Sequence, residues 1–286
     1  MAFSFKCLSP VRRSYVIFSY FSMIKFPDLS SVMIMHQRLY KVVFIFSLLF
    51  LMPGPTQAQR FYTNIFEVSQ KMEKAISGIP AQRKDTLMLI GDTLLYMMDK
   101  KGKAEILFTG ITDGSLTQLA QIWLYTALHY HKIKSIGVYS GGLRPDAINY
   151  RVVAALKRTG FNIQPVRGYA NNPVYFFNLG RSFPDYTIFA KAIDYHYNPH
   201  EDYLVVPLNP DVDHLDYSRY GATVVIPYHW KRPDIWDDTQ VEAMKYDEYC
   251  REIGRDMFFL AHYINLKIKE KAQEQKRSRK KKKKDK

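Results

Sequence analysis

The sequence predicts an α/β domain of three layers, in which an open parallel sheet of four strands has helices on both faces and follows two short helices. Short β-branched runs alternate with helical segments along the chain, which is typical of a parallel sheet. The runs over 202–208 and 222–228 are short and β-branched, as expected for buried parallel strands. The hydrophobic content of 47% over 286 residues is enough to form a core.

The predicted elements begin with two helices and then alternate. We expect helices over 61–76, 82–99, 116–131, 146–160 and 239–270, and strands over 104–109, 134–140, 202–208 and 222–228. Segment 172–192 predicts a short strand or hairpin followed by a helical turn. Ligands of open parallel sheets bind beyond the carboxyl ends of strands. The loop after the first strand, residues 109–116, is therefore the first candidate site.

The net charge of +14 is confined to the two ends of the chain. Residues 1–58 carry six basic residues and one acidic residue, and residues 267–286 carry twelve basic and three acidic residues. The remaining segment, 59–266, is neutral. A globular domain without a basic face is not expected to recognise nucleic acid specifically.

The amino-terminal segment predicts export. Residues 35–58 have a positive start, an apolar run over 42–52, a Pro-Gly-Pro break and a small-residue cleavage site ending at Ala58. We expect cleavage there and a periplasmic or secreted protein. Because a signal peptide starts a chain, residues 1–34 are predicted to be an extra extension that arises from a start-site error. The alternative is a membrane anchor formed by the same apolar run.

The mature chain is then a single domain, 59–266, with a low-complexity basic tail, 267–286. The tail predicts disorder. It is expected either to contact acidic lipid or another polyanion, or to act as a solubilising tail. Cys250 lies on the apolar side of the closing helix, whose apolar spacing also includes Met244, and predicts a buried, inert thiol.

The first β-loop-helix unit, "ILFTGITDGSLTQLAQIW" (106–123), resembles a known arrangement. It is similar to the phosphate loop of the low-molecular-weight phosphotyrosine phosphatases and the thioredoxin-type arsenate reductases. "SGGLRPDAINYRVVAALKRTGFNI" (140–163), "NPVY" (172–175) and "KYDEYCREIGRDMFFL" (245–260) are also similar to segments of that superfamily. The resemblance implies a strand, the pattern Cys-x5-Arg-Ser/Thr, and a helix whose N-terminus binds an anion.

The catalytic residues that the resemblance implies are replaced. The nucleophilic cysteine position is Gly110, and the phosphate-binding arginine position is Leu116. Asp113 places a carboxylate in the loop and is expected to oppose an anion. The general-acid position, before a proline in the late loop 229–239, is Arg232. Asp234, on the other side of that proline, is the candidate alternative acid.

Some groups in the loop could still bind an anion. The candidates are the loop and first-turn residues Thr112, Gly114, Ser115 and Thr117. Their hydroxyl and backbone N–H groups are suited to an oxyanion at a helix N-terminus. The competing interpretation is a tight turn with Ser115 as the helix cap.

No metal or cofactor is predicted. The loop acids and histidines between His196 and Asp216 are interpreted as solvated charges, because they lack the glycine and the distant glutamate of a calcium loop. His129 and His131 suit a helix C-terminus. Trp230 and Trp236 predict either a cleft wall or sheet-edge packing.

Three functions follow as expectations. The first is a catalytically inactive phosphatase-like domain that is exported and binds an unidentified partner protein or a small anion. The second is a hydrolase that uses Asp113, Asp234 or Asp237 on a different phosphoester or anion. The third is a structural interaction domain whose loop has no chemical role.

Overall fold

The computed structural model describes residues 60–144, 146–166 and 171–284, which belong to one compact unit that begins at Ala58. The helices are α1 (Thr63–Ala75), α2 (Ala81–Lys101), α3 (Leu116–Tyr130), α4 (Tyr150–Thr159) and α5 (Glu242–Lys284). The strands are β1 (Ala104–Thr112), β2 (Ile136–Arg144), β3 (Ile163–Pro165), β4 (Tyr175–Phe177), β5 (Tyr186–Ile188), β6 (Tyr203–Pro207) and β7 (Ala222–Val225). The predicted α/β fold class is confirmed.

The central sheet has the order β2-β1-β6-β7, and its neighbouring strands are all parallel. Side chains of β1 alternate between two cores, as the pleat requires. Ile106 and Phe108 point into the larger core, which contains buried residues of all five α-helices. Leu107 points into a smaller core with Ile193 and Tyr217. The sheet therefore has packing on both faces.

Three very short strands form a second, antiparallel sheet with the order β3-β4-β5. The predicted hairpin in segment 172–192 is present, but a third strand joins it. The predicted helical turn is wrong, because residues 186–188 are a strand and turns follow it. Phe177 and Ile188 point into the larger core, so this sheet is held by packing as well as by pairing.

Helix α5 is longer than predicted. Its buried residues continue to Ile264, and the helix itself continues to Lys284, where the sequence predicts a disordered tail. Lys, Arg, Glu and Gln all favour helices, which explains the continuation. At the other end of the helix, Met244 is exposed, whereas Cys250 is buried as predicted.

Within the described ranges, no helix has both the length and the apolar character needed to cross a bilayer. The predicted extension, the signal segment and its apolar run over 42–52 all lie outside the described residues.

Candidate functional site

Strand β1 continues past its predicted end at residue 109. Gly110 pairs with Gly142 and Thr112 pairs with Arg144, so the expected loop 109–116 is reduced to residues 113–115. A Cβ atom on Gly142 would lie 2.6 Å from the Thr112 carbonyl carbon and 2.5 Å from the Asp113 nitrogen. The glycine therefore permits the close approach of β2 to the end of β1. The extended pairing replaces most of the curled loop that the resemblance implies.

The end of β1 lines a cavity of about 350 Å³. Residues of the two segments that the sequence singled out, around 110–117 and 232–237, both line it. All four anion-binding candidates, Thr112, Gly114, Ser115 and Thr117, line it, together with Gly110 and Leu116. The cavity lies beyond the carboxyl ends of β1 and β6, where parallel sheets bind ligands.

Asp113 does not face this cavity, which corrects the expectation that its charge opposes an anion there. Its carboxylate is buried and accepts hydrogen bonds from Gln118 Nε2 (2.8 Å) and Ser140 Oγ (3.0 Å). It also accepts from the backbone N–H of Lys191 at 2.9 Å, and the Lys191 ammonium lies 3.3 Å away. Four donor groups on Gln118, Ser140 and Lys191 all contact Oδ2 of Asp113 and hold the side chain inside the domain.

Burial raises the pKa of Asp113 above its ordinary value of 3.8. The positive charge of Lys191 and the hydroxyl of Ser140 oppose that rise, because each stabilises the ionised form. Asp113 is therefore a structural carboxylate beneath the cavity floor. It has no access to a ligand in the cavity.

Two arginines line the cavity. Arg144, at the end of β2, lines it, is exposed, and has no ion-pair partner among the residues that the structure describes. Arg232, at the predicted general-acid position, also lines it and is paired with Asp234. Sequence reasoning missed Arg144. The signal was its place two residues after the Gly141-Gly142 pair, in the strand next to β1.

The two cavity carboxylates are both held by arginines. Asp234 is paired with Arg232. Asp237 accepts a hydrogen bond from the Tyr246 hydroxyl at 2.7 Å and lies 3.5 Å from Arg151. A carboxylate that is already paired is a weaker candidate for general acid or base work than an unpaired one.

Helix α3 begins directly at the cavity. Ser115 occupies the N-cap position, but its side chain makes no capping hydrogen bond, so the predicted capping role is wrong. A Cβ on Gly110 would lie 3.3 Å from the Thr112 carbonyl oxygen and 3.4 Å from Thr117 Cγ2. There is therefore little room for a side chain at residue 110, the nucleophile position.

A larger groove of about 1080 Å³ adjoins the cavity and shares Asn209 and Arg232 with it. Both tryptophans of the late loop line this groove. Trp230 also packs edge-on against Tyr228, with ring centroids 4.7 Å apart, and the Arg83 guanidinium lies over both rings. The two interpretations of Trp230 as cleft wall and as packing residue therefore both hold.

The remaining candidate residues are not gathered at the cavity. His229 forms a single ion pair with Asp213 at 2.9 Å, and no group of three metal-type ligands occurs between His196 and Asp216. Cys250 is buried against Thr159, and burial raises the pKa of its thiol. It is the free cysteine of the described part of the chain.

No protein-family model matches the chain, and neither does any curated protein. Among solved structures it is similar to a mutant of YwlE from Bacillus subtilis, with 13% identity over 56% of this chain and 97% of that chain and a TM-score of 0.38. Primo-1 has 9% identity, coverages of 54% and 95%, and a TM-score of 0.32.

The thioredoxin-dependent arsenate reductase of Corynebacterium glutamicum has 15% identity, coverages of 68% and 97%, and a TM-score of 0.28.

Proposed function

We propose that this domain is a phosphatase-like protein without phosphatase chemistry, and that it binds an anionic group in the cavity at the end of β1. The proposal rests on one observation with two parts, which concern the nucleophile position and the charged residues of the cavity wall. The nucleophile position is Gly110, and two arginines, Arg144 and Arg232, line the cavity around it. The nucleophile position has no reactive group, and Arg144 is a cavity arginine without an ion-pair partner among the described residues.

The cavity lacks the nucleophilic thiolate that a covalent phosphatase mechanism requires. A phosphoenzyme forms when a thiolate attacks phosphorus, and Gly110 has no side chain. Cys250 lies in α5, is buried, and cannot replace it. Loss of the nucleophile from a catalytic unit typically costs about a million-fold in rate. We therefore expect no meaningful phosphatase or arsenate reductase activity.

Anion binding has suitable groups. The Arg144 guanidinium can donate two parallel hydrogen bonds to a phosphate or carboxylate. Ser115 and Thr112 supply hydroxyls, and the N-terminus of α3 supplies N–H groups that have no partner within the helix. The adjoining groove offers room for the rest of a ligand, whether that is a small molecule or an acidic segment of a partner protein.

A hydrolase that uses the cavity carboxylates is the weaker alternative. Asp113 is buried away from the cavity, and Asp234 and Asp237 are both paired with arginines. An acid or base role requires one of these pairs to open in the presence of substrate. The pairing of these carboxylates thus favours binding over hydrolysis.

The test is a calorimetric titration of the full mature chain with inorganic phosphate and with phosphotyrosine. Arg144→Ala should weaken binding about tenfold or more, because a charged hydrogen bond contributes about 1.5–3 kcal/mol. Arg219→Ala is the matched control, since Arg219 is an exposed arginine that is paired with Asp216 and does not line the cavity. Equal affinities in both variants would refute the cavity as the binding site.

We also propose that the protein is exported, with cleavage after Ala58. The layout of residues 35–58 supports this. N-terminal sequencing of the protein recovered from the periplasm or medium should give a chain that begins at Gln59. Recovery of a chain that still carries residues 42–52 in the membrane fraction would support the anchor instead.

A further inference from the structure

Three helices meet at the opposite end of α3 from the cavity, about 22 Å away along a helix of fifteen residues. Glu73 lies in the last turn of α1, His131 follows the last residue of α3, and His262 lies in α5. The Glu73 carboxylate lies 3.1 Å from His131 Nε2 and 2.5 Å from His262 Nδ1. Both imidazoles therefore point at one carboxylate.

The three groups have the arrangement of a ligand set. Their nitrogen and oxygen atoms all lie within 4.8 Å of one another. In a tetrahedral zinc site, bond lengths of about 2.0–2.1 Å place neighbouring ligand atoms about 3.3 Å apart. The cluster is thus within about 1.5 Å of the required spacing. His131 is 7% exposed, whereas Glu73 and His262 are 23% and 30% exposed, so solvent reaches one side.

Neighbouring groups are also arranged as they would be around metal ligands. The Asn265 side-chain amide lies 3.2 Å from Nδ1 of His131, the nitrogen that does not face Glu73. A metal-binding histidine donates the N–H of its far nitrogen to an acceptor. Asn265 can supply that acceptor when its side-chain amide turns to place the oxygen, in place of the nitrogen, at Nδ1. The two histidines contact different oxygens of the Glu73 carboxylate, His131 through Nε2 and His262 through Nδ1. Each imidazole therefore turns a nitrogen toward the same carboxylate.

We propose that Glu73, His131 and His262 form a binding site for a zinc-type divalent cation, with water in the fourth position. Two imidazoles and one carboxylate suit Zn²⁺ and not Ca²⁺ or Mg²⁺, which prefer oxygen ligands. The cation would tie α1 to α3 and α5 and would stabilise the domain. This site is separate from the cavity, so it does not depend on the proposed anion binding.

The test uses the full mature chain, freed of metal by a chelator and titrated with Zn²⁺ by calorimetry at neutral pH. We expect one saturable site, release of protons on binding, and a higher melting temperature. Co²⁺ in place of Zn²⁺ should give the visible absorption of a four-coordinate site. His131→Gln and His262→Gln should each weaken affinity at least tenfold, and Asn265→Ala should weaken it about tenfold.

His229→Gln is the control, because His229 also pairs with one carboxylate, Asp213, but has no second histidine beside it. It should leave the affinity unchanged. Because His262 is partly exposed, His262→Gln is expected to fold even if His131→Gln does not. Zn²⁺ binding that is equal in wild type and His262→Gln, or that is absent in the wild type, would overturn the proposal.

Discussion

At the scale of single residues, Asp113 and Lys191 form the contact that most changes the interpretation of the loop. Sequence position alone places Asp113 in the anion site, whereas its partner lies 78 residues further along the chain. Both side chains are buried, so each charge depends on the other for its stabilisation. Asp113 therefore does not line the cavity, whose acidic residues are Asp234 and Asp237.

Replacing Lys191 with methionine should destabilise the domain by about 3–5 kcal/mol, because it leaves a buried carboxylate without its cation. Urea unfolding of the purified variant measures the change. The double variant that combines Lys191→Met with Asp113→Asn should recover much of the loss. Lys245→Met is the control: Lys245 pairs with the exposed Glu248, and such a pair contributes about 0–1 kcal/mol.

The Lys191→Met variant should depend on pH in a defined direction. The folded-state pKa of Asp113 is raised, so the contribution of this group to stability is fully present below about 3.8 and is lost as the pH rises through the folded pKa. Without Lys191 that pKa is higher still. The destabilisation should therefore be smaller at acidic than at neutral pH. An Asp113→Asn background in which the same pH trend persists would contradict the assignment.

At the scale of elements, the continuation of β1 through Thr112 bears on the proposed lack of phosphatase activity. Pairing with β2 fixes the backbone of Gly110 and Thr112 in an extended ladder. A phosphate loop needs those N–H groups to converge on an anion. Missing side chains are thus only part of the change.

Restoring the two lost side chains should consequently not restore the activity. We expect Gly110→Cys combined with Leu116→Arg to give neither turnover of phosphotyrosine nor a phosphocysteine adduct. Intact-protein mass spectrometry after rapid quenching measures the adduct, and Gly110→Ser with Leu116→Arg is the control for nonspecific modification. A stoichiometric phosphoenzyme would show that the backbone cradle is intact.

We expect the end of α5 to be dispensable for the stability of the domain but to contribute to binding of anionic lipid. Residues beyond 270 are exposed through Lys282, and the ion pair of Lys271 with Asp99 is a surface contact. Deleting 271–286 should change the free energy of unfolding by less than about 1 kcal/mol, whereas Leu260→Ala, in the buried part of the helix, should cost about 2–5 kcal/mol.

The same deletion tests whether the tail contacts acidic lipid. Binding of the chain to vesicles that contain anionic lipid should fall on deletion, and it should weaken with added salt because the contact is electrostatic. Cosedimentation measures it. Unchanged vesicle binding after deletion would favour a tail that serves only solubility.

At the scale of the whole molecule, sequence predicts what local pattern determines and misses what distant segments determine together. Strands β6 and β7 were predictable because 202–208 and 222–228 are short β-branched runs. Strands β1 and β2 were predictable because each short apolar run alternates with a helical pattern. Strands β3 to β5 are three residues each, which is too short for an alternation of apolar and polar residues to be recognised.

The candidate site was predictable in its place and not in its chemistry. The segments 109–117 and 229–239 do meet at the ends of the strands. The inward turn of Asp113 depends on Lys191, and the approach of Glu73 to His262 spans 189 residues. Such contacts follow from the packing of whole elements, so no local sequence pattern predicts them.

The most direct test of the central claim is a single NMR titration of the mature, isotope-labelled chain with phosphotyrosine, in which amide and phosphorus signals are followed together. We predict saturable shifts of amides in 110–117 and at Arg144 while the phosphotyrosine signal stays intact for hours. Release of inorganic phosphate above the rate in buffer, or no amide shift at millimolar ligand, would contradict the claim.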